Sequence, residues 1–362
     1  YNVAIGNSTL DANTTAESNT GVGYAVLTNN TTGAENVGVG RAALFNNTTA
    51  SNNTAIGRSA LESNTTGTLN TAIGTCALAA TTTGGCNVAV GNCSLLINTT
   101  GCRNSVLGEG TMRCNTTGKD NVAVGRQALF NNTTADNNVG VGYQALVYNT
   151  TGGTNTAIGR DALCANTTAG CNTAIGYKAL CANTTGACNT AVGRDTLLAT
   201  TTGVNNTAIG KTSGSIMATG NNNTFLGYDA QPTSSSVSNE ITLGNSSVTN
   251  LRCADTSISS LSDLRDKTNI EDIPHGLDYI LAMRPVKFDW NARDGSREGK
   301  KDYGFIAQEL DQVEETFGNK EYTRLVSKEN PDKWEADPMK TYPILIKAIQ
   351  ELKAEIDELK KG

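Results

Sequence analysis

Ser262 and Lys267 stand five residues apart in the stretch Ser-Asp-Leu-Arg-Asp-Lys-Thr-Asn-Ile, and together they could cut a peptide bond. A serine hydroxyl is a weak nucleophile unless a base lies beside it. Lysine serves as that base only when neutral, which requires burial or neighbouring positive charge. A spacing of five is awkward in regular structure: about 140° apart on a helix, opposite faces on a strand. The segment must therefore bend, or the pair must form between subunits. Read without further context, Ser262 is a helix N-cap and Lys267 a solvated charge. Asp263 and Arg265 could form a surface pair. His275, in Ile-Pro-His-Gly, invites a serine–histidine reading but stands as a turn residue beside Pro274. Gln308 and Glu309 could act at a site or simply pair on the surface.

Two regions with different compositions must position these residues. Residues 1–252 hold 11 acidic and 11 basic side chains, whereas residues 253–362 hold 23 and 17, together with both Trp and the only His. Neither region has the basic excess that phosphate binding needs, so nucleic acid is not an expected partner. One His and no Cys-x-x-Cys pair argue against a metal site, and no cofactor is expected. No run of about 18 apolar residues occurs, so no membrane insertion is expected. A chain opening at Tyr1 without Met or an apolar leader reads as the C-terminal part of something longer.

The first region repeats every 17 residues, with a glycine from Gly6 to Gly244 in fifteen copies without insertion or deletion. Each glycine follows Ile, Val or Leu. An Asn precedes it by four residues from Asn2 to Asn223, and Leu follows by four in most copies. Such self-similarity marks a solenoid. The unit is too short for a helix pair. Asn-Thr-Ala-Ile-Gly alternates as a short strand, and Asn-Thr-Thr-Gly is turn chemistry. The expected fold is mainly β: a β-solenoid shaft over 1–228, a neck over 229–261, and a small α+β domain over 262–362 ending in a heptad helix over 342–361. Fourteen intervals of about 4.8 Å make a rod on the order of 65–70 Å long. Each coil offers one Ile or Val, one Leu and a few small residues to its interior, thin cover for ordering 17 residues, so stacking and association of chains must add more. The small side chains at Ala55, Ala72, Ala89 and Gly140 suggest a flat outer face for another backbone, with a single-chain rod as the alternative.

Cys76 with Cys93, Cys164 with Cys181, and Cys171 with Cys188 fall in register one coil apart, and free thiols are the expected state. The Asn-x-Thr triplets read as by-products of the turn rather than glycosylation sites. Tyr24, Tyr143 and Tyr177, each after a repeat glycine, could stack on sugars. After Gly210 the pattern loosens: Gly214 replaces the expected Leu, and Gln231-Pro232 interrupts the next copy.

The repeats resemble trimeric autotransporter adhesin heads and phage tail-fibre shafts. The motif from Ser262 resembles the opening of the endosialidase-type intramolecular chaperones, with Gly276-Leu277-Asp278, Leu281, Phe288-Asp289-Trp290 and Tyr303 to Leu310 following in order. That resemblance implies a domain that trimerises, templates the fibre upstream, and cleaves itself at Leu261–Ser262 through a Ser262–Lys267 dyad with Asn269 nearby. Leu345, Ile349, Leu352, Ile356 and Leu359 form a heptad seam, with Glu355 and Lys360 placed to pair between chains. Ile at a with Leu at d favours two strands by the usual rule, whereas the resemblance implies three; a helix docked on its own domain is the alternative. The expected protein is a homotrimeric tail fibre of a virion, made in the host cytoplasm. Its expected partners are itself and a host-surface receptor, a glycan being one candidate class. An uncleaved structural tip or a cell-surface adhesin with an idle serine is the alternative.

Overall fold

The computed structural model describes residues 1–248, 250–252, 262–291, 298–318, 320–328 and 334–361. They fall into two compact units, Tyr1–Asn245 and Ser246–Gly362.

The first unit is a parallel β-solenoid. Fifteen three-residue strands, β1 (Val3–Ile5) through β15 (Ile241–Leu243), form one sheet in sequence order. Each pairs with the next at an offset of 17, as in Thr54↔Thr71 and Ile56↔Ile73. From β2 to β14 the middle residue of each strand points inward and is buried. Ala55, Ala72, Ala89, Ala157 and Ala174 are fully buried, while Ile56, Ile73, Ile158 and Ile175 stay exposed. This corrects the expected orientation: the flat Ala and Gly row lines the coil's own interior, and the β-branched row faces out. The interior is narrow, and in most coils a methyl or a hydrogen faces the Leu row that runs from Leu27 to Leu197 with Met112 in its series, Val106 and Phe225 being the larger inward strand residues.

Those leucines sit in the left-handed region, at φ from 48 to 56° for Leu44, Leu61 and Met112. An L-residue resists that conformation by roughly 1–2 kcal/mol. Complete burial of the side chain and a backbone bond to the next coil, such as Leu44 N–H to the Ala60 carbonyl at 3.0 Å, hold it there. The strand-ending glycines are required by contact as well as by φ. At Gly57 (φ +135°) a Cβ would lie 2.5 Å from the Gly74 carbonyl oxygen.

Polar ladders supply what the thin apolar interior lacks. In one, the Asn36 amide N–H donates to Asn19 Oδ1 at 2.9 Å and its Nδ2 donates to the Ala50 carbonyl at 2.9 Å. The pattern repeats up the rod through Asn223. A second ladder runs through the Asn of Asn-Thr-Thr-Gly: Asn47 Nδ2 donates to Asn30 Oδ1 at 2.8 Å, and Asn64 Nδ2 to Asn47 Oδ1 at 2.9 Å. Thr replaces Asn at Thr81 and Thr200 in this second ladder. One coil earlier, Asn64 Oδ1 and Asn183 Oδ1 are buried without a hydrogen-bond partner. Because these Asn side chains are fully buried, the Asn-x-Thr triplet at Asn64 is closed to a glycan.

The looser copies close the stack. Phe225 takes an inward Ala position, and Gly214 makes room for it: a Cβ there would lie 2.7 Å from the Phe225 ring. Glu240 ends the first ladder. Its backbone N–H donates to Asn223 Oδ1 at 2.9 Å, and its carboxylate accepts from Thr233 Oγ1 at 2.5 Å and Thr242 Oγ1 at 2.9 Å. The strand expected in a separate neck therefore stacks on the solenoid, which extends to Asn245. The nine described cysteines are free. In the Cys164–Cys181 pair, the shared hydrogen bond pulls Cys181 down to about 7 and pushes Cys164 well above the usual thiol range.

The second unit places α1 (Leu277–Ala282), the hairpin β16 (Val286–Asp289) and β17 (Lys301–Gly304), α2 (Ala307–Phe317), α3 (Lys320–Thr323), the short pair β18 (Val326–Ser327) and β19 (Glu335–Ala336), and α4 (Tyr342–Leu359). Its core is small: Tyr279, Met283, Leu310, Val313, Leu325 and Ile344, with Phe317 against it. Among the described residues no helix is long and apolar enough to cross a membrane.

Candidate functional site

The Ser262 segment bends as its spacing demands. Asp263 caps a single 3-10 turn, Leu264–Asp266, accepting from the Arg265 amide at 2.9 Å. The Arg265 guanidinium returns to the same carboxylate at 2.6 and 3.0 Å. That bond and the backbone donor hold the Asp263 carboxyl below the usual range. The turn reverses the chain, Lys267 N–H closes on the Leu264 carbonyl at 3.2 Å, and Lys267 Nζ donates to Ser262 Oγ at 2.6 Å. The pair therefore forms within one chain, and both residues are exposed in it. Asn269 follows in the left-handed region at φ 54°, where Asn is better tolerated than most residues. Leu261, the residue before the serine, lies outside the described residues.

The other candidates go elsewhere. His275 Nδ1 lies 3.2 Å from Asp278 Oδ2 and its ring packs edge-on against Phe317. Gln308 is exposed, while Glu309 forms a two-point pair with Arg284, whose guanidinium holds the Glu309 carboxyl below its usual range. This pair lies in a groove of about 390 Å³ lined by Met283, Phe305 and Ile306. On the shaft, Tyr143 and Tyr177 have guanidinium groups 5.7–5.9 Å from their ring centroids, from Arg126 and Arg160 and from Arg160 and Arg194. The ring faces of Tyr143 and Tyr177 are thus engaged within the protein, while Tyr24 is exposed.

Two acidic residues of α2 were not singled out from the sequence. Asp311 accepts from Lys320 and Lys328 Nζ, each at 2.5 Å. Burial pushes its carboxyl upward, but the two lysines outweigh that and leave it below the usual range. Glu314, fully buried, accepts from Thr323 Oγ1 at 2.5 Å and Leu325 N–H at 2.6 Å, which fixes the chain after α3. The available signal was their position next to Leu310 and Val313, on the stripe that faces the core.

Helix α4 docks one face on its own domain, the alternative expected for the tail. Ile344 and Ala348 are buried, and Glu351 Oε2 accepts the Leu277 N–H at 2.7 Å, capping α1. The heptad seam remains open: Leu345, Ile349, Leu352, Ile356 and Leu359 are 39–81% exposed. Among the described residues no group of three or more His, Cys, Asp or Glu could hold a metal.

The family model Peptidase_S74, described as chaperone of endosialidase, matches residues 262–319 and so opens on Ser262 itself. No curated protein and no solved structure matches the chain.

Proposed function

From a chain that carries a chaperone-of-endosialidase domain at 262–319 behind a 17-residue β-solenoid, we infer a homotrimeric viral tail fibre whose C-terminal domain assembles the shaft and then severs itself from it. The observation that carries the reading is the 2.6 Å contact between Lys267 Nζ and Ser262 Oγ at the first residue of the matched segment. The open heptad seam of α4 is the trimer contact, and the virion and a host-surface receptor are the setting in which such a shaft serves.

The chemistry follows from the pair. Neutral Lys267 takes the Oγ proton while Oγ bonds to the carbonyl carbon of residue 261. The C–N bond to Ser262 breaks, and its nitrogen receives that proton. Water, deprotonated by the same amine, then bonds to the ester carbon; the C–Oγ bond breaks and Oγ takes back the proton from Lys267, leaving a carboxylate on Leu261 and a new amino terminus at Ser262. In the single chain Lys267 is exposed and donates to the serine, the reverse of what a base does. Burial favours the neutral amine. Assembly that covers this turn is therefore the arming step, which delays cleavage until the template has served.

Mass measurement of the purified protein tests this. The expected result is two fragments of about 260 and 100 residues, with the Ser262→Ala variant one intact chain of 37.7 kDa that still trimerises. Wild-type protein that stays intact after trimerising assigns instead a permanent tip with an idle serine.

A further inference from the structure

Four of the nine described cysteines lie in two consecutive coils, those that follow Gly159 and Gly176. Cys164 and Cys181 each stand five residues after their glycine, and Cys171 and Cys188 each stand twelve after. The same junction between coils therefore carries two matched pairs, on two different turns. Backbone bonds hold each pair in step. Ala165 N–H donates to the Cys181 carbonyl at 3.0 Å, and Cys188 N–H donates to the Gly170 carbonyl at 3.2 Å. Residues in register on neighbouring parallel coils are about 4.8 Å apart, inside the range of about 4.4–6.8 Å between the Cα atoms of a disulfide. Cys171 and Cys188 share one backbone conformation, φ 61° and 59°, so their Cβ bonds point the same way. In the other pair the two thiols already share a hydrogen bond. Cys164 and Cys181 are partly buried and Cys171 and Cys188 exposed, so a small reagent reaches all four.

We propose that this junction is a thiol–disulfide clip: a low-molecular-weight disulfide such as oxidised glutathione converts Cys164–Cys181 and Cys171–Cys188 into two bonds that staple one coil to the next. The chemistry is thiol–disulfide exchange. Cys181 starts it, because its hydrogen bond with Cys164 pulls it down to about 7 and leaves much of it thiolate at neutral pH. Its Sγ bonds to one sulfur of the reagent, whose S–S bond breaks and releases the other half as a thiolate. Cys164 then loses its proton to water, its Sγ bonds to Cys181 Sγ, and the second half leaves. Two cysteine thiols have given up two electrons and two protons, and the reagent has become two thiols. A second equivalent closes Cys171–Cys188 in the same way. The order of events matters in a chain of fifteen like coils. Under reduction the coils stack first, and register then offers each of these thiols one cysteine partner, whereas Cys114 has none. Each bond joins residues 17 apart, so it restricts the unfolded chain as well as bridging the coils. The clip depends neither on the trimer nor on cleavage.

The full chain, purified with reductant and then exposed to oxidised glutathione, tests this. Remaining thiols are capped with N-ethylmaleimide in denaturant before digestion. Trypsin separates residues 161–178 from 179–194, cutting after Arg160, Lys178 and Arg194. In the clipped chain these two peptides are expected to stay joined, lighter by four hydrogen atoms than the pair of dithiol peptides, with Cys114 capped. The β signal of the oxidised sample is expected to melt several degrees above the reduced one, and reductant to restore the lower midpoint. The Cys164→Ser, Cys171→Ser double variant keeps the coil, since Ser215 and Thr154 hold the equivalent positions elsewhere on the rod. It is expected to lose that shift and to retain glutathione on Cys181. Two separate peptides, whether capped at all four thiols or bridged within themselves, overturn the clip. Joined peptides with an unchanged midpoint, or a shift that persists in the double variant, overturn its role as a staple.

Discussion

The shaft and the C-terminal domain solve the problem of a small core in opposite ways. In the shaft each coil has little apolar content, yet its buried Asn, Leu and Ala bond or pack against the same residues one coil away, so every added coil completes its neighbour. In the domain six residues form the core, while Leu281, Ile306, Ile349, Leu352 and Leu359 remain exposed. Repetition lets the first region spread its stability along its length. The second leaves an apolar row of α4 open to solvent, the face that the proposed function assigns to other copies of the chain.

The sharpest way to break that contrast is to disable the tail. The Leu352→Asp, Ile356→Asp double variant puts two charges on the open seam without touching Ile344 or Ala348, which hold α4 to its own domain. Sedimentation is expected to show monomer, and mass measurement an uncut chain, since the proposed function makes the arming of Lys267 depend on assembly. If the variant yields a normally folded, fully trimeric shaft, the division of labour between template and rod is wrong.

How much of this could be read from residues alone follows the same division. The repeat is legible because the 17-residue period acts on every coil at once, and the offset seen in Thr54↔Thr71 is the period itself. Which row faces inward was not legible. Ala and Ile alternate equally well either way, and the choice is made by the space left opposite the Leu row, which in most coils is filled by Ala or Gly. The role of Gly214 was hidden for a related reason: it is explained by the Phe225 ring across the coil, which no local pattern reveals. In the domain the Ser262–Lys267 spacing announced a bend, and the Asp263 cap supplies it. Asp311 and Glu314 showed only their place beside Leu310 and Val313, because their partners, Lys320, Lys328, Thr323 and Leu325, come from beyond the end of α2.

Acid separates the two regions next. Asp311 is held below the ordinary aspartate value of 3.8, because its two lysine partners outweigh the burial that pushes it upward. A depressed carboxyl contributes stability that is complete above the unfolded value and is lost as pH falls through the folded one. Glu309, held down by Arg284, acts in the same direction. The helical circular-dichroism signal of the domain is expected to fail below about pH 4, with the limb flattened in the Asp311→Asn variant. Up to Glu240 at the end of the first, the shaft's internal ladders are Asn and Thr, which do not titrate, so its β signal should persist through that range. Simultaneous loss of both signals contradicts the separation.

The smallest expected effect probes the ladder itself. Thr81 occupies a fully buried slot that holds Asn in most coils, and its short side chain leaves Asn64 Oδ1 without a donor. Thr81→Asn places an amide where Asn47 Nδ2 reaches Asn30 Oδ1 at 2.8 Å in an unbroken part of the ladder. Its Oδ1 also replaces the Thr81 hydroxyl that accepts from Asn98 Nδ2 at 3.3 Å. Satisfying one buried acceptor is worth about 1 kcal/mol. The variant is expected to raise the shaft's melting temperature slightly and leave the domain's acid transition unchanged. The buried slot is already sized for Asn in neighbouring coils, so a fall in stability would mean that the ladder is packing by shape alone. The hydrogen bonds would then not be what lets so thin an interior stand.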